Sequence, residues 1–204
     1  MIKSYNELPL GLFLKVNAVL EDKALDMLDQ QAKIIALLSG KTENEIYSMP
    51  LAEYSRLAAD ADFLRETCPP ATAPSRVIVG DVVLIPVQEI TEITTAQYID
   101  FQTFSKQGAA GLVGLLSVFL LPEGHSYNDG SYDMKAVKEA VARLDMPVAM
   151  GLVGFLFASL LGSIRASLSF LDKMATRLPM EKRENLAKEA EKFRKKIAGL
   201  GLSV

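Results

Sequence analysis

From Met146 to Ile164 the chain carries no charged residue. A segment this apolar, near the length that crosses a bilayer, must be covered by protein or by lipid. Pro147, Gly151, Gly154, Ser159 and Gly162 interrupt it, and no aromatic belt flanks it. These features weigh against a membrane span and predict a buried bundle helix. The stretch opens on Met146-Pro147-Val148-Ala149, which repeats Met49-Pro50-Leu51-Ala52. Proline sits well in the first turn of a helix, so both tetrads read as helix starts.

Apolar spacing predicts helices over 4–21, over 24–39 with Leu25, Leu28, Ile35 and Leu38 inward, and from Pro50 to Arg65. Gly40 suits a helix C-terminus. Thr42-Glu43-Asn44-Glu45 is a capping-box pattern and starts a short helix to Ser48. The run 68–75, CPPATAPS, excludes helix and reads as an extended linker. Two β-branched runs, 76–79 and 82–87, flank Gly80-Asp81 and predict a hairpin. One hairpin is marginal alone and must pack on something else. Helix is then expected from Thr95, with Thr94 or Thr95 as cap, over 112–121 up to Pro122, and from an Asp133 cap to Leu144. After the apolar stretch, Pro179 precedes a charged helix over 180–198.

The two halves align. Phe13-Leu14-Lys15-Val16 matches Tyr98-Ile99-Asp100-Phe101, 34–38 matches 116–120, and the Met-Pro tetrads follow in the same order. The expected fold is mainly α: two pseudo-repeated helical units with one small β-hairpin between them. The expected divisions are 1–66, 67–92, 93–178 and 179–204. The second copy is greasier, with Val153, Phe157 and Ser159 where the first has Arg56, Asp60 and Asp62. It is expected at the middle of the fold or buried in a homo-oligomer.

The net charge of −3 argues against a nucleic-acid-binding surface. One cysteine and one histidine exclude an internal disulfide and the usual Cys/His zinc site. No signal peptide is expected at the start of the sequence, which makes the cytoplasm the default site of folding. His125 with Asp129 and Asp133 invites a catalytic reading, but no nucleophile motif stands near it. Asn128-Asp129-Gly130 reads as a turn, because the further ligands of a calcium loop are missing. Cys68 reads as a linker residue. Phosphate loop, nucleophile elbow and dinucleotide fingerprint are all missing, so no catalytic, cofactor or metal residue is expected and an enzyme is the weakest class.

Binding surfaces are expected in two places. Gly151, Gly154 and Ala158 would let another helix approach closely. In the last helix Leu186, Phe193 and Ile197, with Ala190, form one stripe among seven Lys/Arg and four Glu. That stripe reads either as a docked surface helix or as an arm for a partner.

The punctuation KIIALLSGKTENEIYSMPLAEYSRL, after an early Leu-Pro-Leu entry, resembles that of tail assembly chaperones of tailed bacteriophages. QYIDFQTF and SYNDGSYDMKAV repeat it loosely, in the manner of Bacteroidota phages or prophages. The resemblance spans most of 4–165. It implies a non-enzymatic role in the host cytoplasm: binding the long apolar helix of a tape-measure protein while tail subunits assemble. The chain departs from the simplest such chaperones in its length, duplication and hairpin. That leaves a structural virion component (head, connector or baseplate) as the alternative, and a small membrane protein as the next.

Overall fold

The computed structural model describes residues 1–88, 93–127, 129–130, 133–177, 188 and 191, and the side chains of its last helix as far as 163. The chain divides into two units. The first comprises Met1–Val87 with Ile93–Gly154, and the second Gln88–Glu92 with Phe155–Val204.

In the first unit α1 (Leu10–Glu21) begins later than expected, because Leu8-Pro9 is extended and a 3-10 turn at Tyr5–Glu7 precedes it. α2 (Met27–Ser39) begins at Asp26, whose carboxylate accepts from the Asp29 N–H. Gly40 ends it in the left-handed region, φ 69°. α3 (Glu43–Tyr47) carries the full capping box: Thr42 accepts from the Glu45 N–H, and the Glu45 carboxylate accepts from the Thr42 N–H at 2.7 Å. These bonds hold the Glu45 carboxyl below its ordinary range. α4 (Leu51–Asp60) is shorter than expected and passes into a 3-10 turn at Asp62–Arg65. Ala32, Ile35, Ala36, Ile46 and Leu57 form the core between these helices, with Met49 and Tyr54 packed on it.

The hairpin forms as expected, β1 (Val77–Val79) with β2 (Val82–Pro86), with Val79 opposite Val82. It is not alone. The run over 112–121 splits into α6 (Leu112–Phe119) and β3 (Leu120–Pro122), and β3 pairs antiparallel with β2. This third strand supplies the support a lone hairpin lacks. α5 (Thr95–Ser105) starts at a second capping box, Thr94 with Gln97. The Gln97 amide is buried and donates to the Val118 carbonyl, which ties α5 to α6. α7 (Met134–Ala142) and α8 (Met146–Arg177) follow.

The expected repeat is not established by this arrangement. Four helices follow in each half, but 34–38 is helical throughout whereas 116–120 runs out of α6 into β3. Nor do the halves stand apart. The Leu10 N–H donates to the Leu144 carbonyl and the Met146 N–H to the Leu8 carbonyl, at 2.7 and 3.0 Å. All four residues are buried, so the entry of α1 is clasped to the entry of α8. A Cβ on Gly11 would stand 3.0 Å from the Ala142 carbonyl, which shows how closely α1 meets the end of α7.

In the second unit α8 continues from Phe155 to Arg177. Phe157 and Ala158 are exposed.

A candidate partner-binding groove

The stripe expected for α2 is only partly covered. Burial falls on Ala32, Ile34, Ile35, Ala36 and Leu38, while Leu28 is 70% exposed and Met27 83%. The physical reason is the late start of α2. Asp26 caps it, so Met27 and Leu28 occupy the first turn, beyond the reach of the core formed further along.

Met27 borders a groove of about 230 Å³ between the end of α1, the start of α2 and the end of α4. Leu20, Met27, Ile34, Ala58 and Leu64 line it, with Gln30, Gln31, Asp62 and Arg65 among them. The polar groups are held locally. Gln30 donates to the Asp22 carbonyl, Gln31 accepts from the Tyr54 hydroxyl, and Arg65 pairs with Asp62 at 3.2 Å. The wall at Leu64 is braced by Tyr5, whose hydroxyl donates to the Leu64 and Glu66 carbonyls and whose ring meets Phe63 edge-on. Burial pushes the Tyr5 and Tyr54 phenols up, so both stay neutral donors. The arrangement offers an apolar floor with fixed polar edges. That suits a side chain presented by another protein.

The residues singled out in the sequence fall elsewhere. Gly151 is buried, and a Cβ there would stand 2.1 Å from the Ala71 carbonyl oxygen. Its close neighbour is the chain's own linker, not another helix; the Ala71 N–H donates to the Pro147 carbonyl beside it. Gly154 is exposed with nothing near its Cβ position, and Ala158 is exposed. Leu186, Phe193 and Ile197, like the helix expected over 180–198, lie outside the described residues. His125 Nδ1 stands 3.6 Å from the Asp129 carboxylate, which also accepts from the Ser126 N–H across a turn. Burial pushes the Cys68 thiol up, away from an activated thiolate. Among the described residues no group of three His, Cys, Asp or Glu could hold a metal.

By length and composition Met146–Ser163 could cross a membrane, with a mean hydropathy of 1.8. A third of that window is buried, and five of the six buried residues fall within 146–152. No protein-family model matches the chain, and neither a curated protein nor a solved structure matches it.

Proposed function

We propose that the chain is a non-enzymatic assembly protein that holds an apolar helix of a partner, acting in the host cytoplasm as a tail assembly chaperone for a tape-measure protein. The observation that carries the binding role is the groove beside Leu20 and Met27, an apolar surface with locally satisfied polar edges. A helix laid on it would insert large side chains at three- and four-residue spacing. Methionine at the rim suits a surface that adapts to several sequences. The phage assignment comes from the resemblance in sequence punctuation.

The test is co-expression of the tagged chain with its neighbouring genes and purification without detergent. Recovery of a long helical tail protein, lost in the Met27→Lys variant, supports the reading. A chain that is stoichiometric in purified particles is a structural virion component instead. The apolar window over Met146–Ser163 favours a second reading, a small membrane protein. Recovery only from membranes would establish it and end the other two.

A further inference from the structure

The sheet of the first unit has the order β1-β2-β3, so β1 is paired on one side only. Two residues, Gly80-Asp81, join Val79 to Val82, and that closing pair exchanges its backbone bonds. Bonded pairs alternate along an antiparallel ladder, which makes Val77 with Leu84 bonded and Ile78 with Val83 not. The N–H and carbonyl of Ile78 therefore point out of the open edge, and among the described residues no backbone bond reaches them. Val77 is buried, whereas the Ile78 side chain, on the opposite face with half-buried Val83, is 68% exposed. Arg76 and Asp81 are exposed at the two ends of the strand.

We propose that β1 pairs antiparallel with β1 of a second copy, centred on Ile78, joining the two three-stranded sheets into one. The strand is its own complement. About a twofold axis at Ile78 the two Ile78 residues exchange N–H to carbonyl bonds, and Val77 of each copy meets Val79 of the other. Ile78 then covers Ile78, and the aliphatic row that starts at Val83 runs on across the junction. The same register sets Arg76 of each copy opposite Gly80 of the other, beside Asp81. Glu123 accepts from one Arg76 nitrogen at 2.6 Å, and the guanidinium has further donors for Asp81. This charge match occurs twice by symmetry. It favours a second copy over an unrelated strand, which the backbone bonds alone would accept equally. Pro74 before the strand and the turn after it bound the ladder, and the twofold uses up the open edge, so pairing stops at two copies. The contact is small and its affinity modest. It lies within the first unit and is independent of the groove beside Met27.

The test is sedimentation equilibrium on the full chain from about 5 to 500 μM, with amide exchange of Ile78 followed over the same range. The expected result is a reversible monomer–dimer equilibrium in which the Ile78 amide exchanges more slowly as concentration rises. Ile78→Lys sets two lysines opposite each other and should weaken the dimer about tenfold or more. Arg76→Asp and Asp81→Arg each turn the charge match into a repulsion and should also weaken it. Their equimolar mixture should regain association, because each end of the mixed ladder then pairs an acid with a base. Circular dichroism checks that all three variants fold, and Ile78→Lys, at an exposed position that leaves the Arg76–Glu123 pair in place, stands even if the charge variants do not. A wild-type chain monomeric throughout, a dimer that forms without slowing Ile78, or a dimer that Ile78→Lys leaves intact would each overturn the inference. So would a monomeric chain that captures an added extended peptide at the Ile78 edge, which would make the occupant a foreign strand.

Discussion

Two helices of the first unit begin with the same residues, Met-Pro-apolar-Ala, and meet opposite surroundings. At α4, Pro50 is exposed, Leu51 is 78% exposed, and Met49 only leans on the core of Ile35 and Ile46. At α8, Met146 is 1% exposed, Pro147 is buried, and Ala149 and Leu152 are closed off from water. The shared tetrad marks where a helix starts. It carries no information about depth, which is set by what reaches the site from far along the chain: Leu8 at one side, Ala71 at the other.

Truncating the two methionines measures that difference most strongly. Met146→Ala should cost about 2–5 kcal/mol by chemical denaturation, the range for a large core side chain. Met49→Ala, at a half-buried position, should cost only about 1 kcal/mol. Equal costs would break the comparison.

The glycines of α8 sharpen it further. Gly151→Ala drives a methyl into the Ala71 carbonyl and breaks the linker's bond to Pro147. Helix propensity returns part of the loss, so a net destabilisation of about 2 kcal/mol is expected. Gly154→Ala, with open space at its Cβ, should instead stabilise by up to about 1 kcal/mol. The sign change between two positions three residues apart is read in the same melts.

The smallest effect lies ahead of the first Met-Pro. The Tyr47 hydroxyl donates to the Asp29 carboxylate at 2.7 Å, and that bond, followed by partial desolvation, pushes its pKa up to about 12. The neutral phenol is the form held. Its contribution is therefore complete below pH 10, declines as pH rises and is lost above about 12. Ultraviolet titration should show Tyr47 among the late-ionising tyrosines with Tyr5 and Tyr54, and Asp29→Ala should bring one of these late ionisations back towards the ordinary range.

Much of the local structure was legible because its causes are local. Thr42 with Glu45, Gly40, the Gly80-Asp81 turn and the Asp133 cap act within a few residues, and each stands where the sequence places it. The third strand was not legible. Leu120 to Pro122 continues an apolar helical pattern, and only the open edge of β2, more than thirty residues earlier, draws it into a ladder. The exposed start of α2 was hidden for a similar reason. Leu28 fits the helical stripe by spacing, and its exposure follows from where Asp26 starts the helix and what then packs on it. Gly151 was marked as a place of close approach, but composition could not say that the chain's own linker is what approaches.

The clasp between Leu8–Leu10 and Leu144–Met146 also bears on synthesis. Its two halves are made about 135 residues apart, so at roughly 5–20 residues per second the first half waits on the order of ten seconds for the second. During that interval Leu8 and Leu10 emerge from the ribosome without their native partners. The entry of α1 is thus secured only when the start of α8 is made, and until then the nascent chain offers Leu8 and Leu10 to the cell's folding machinery.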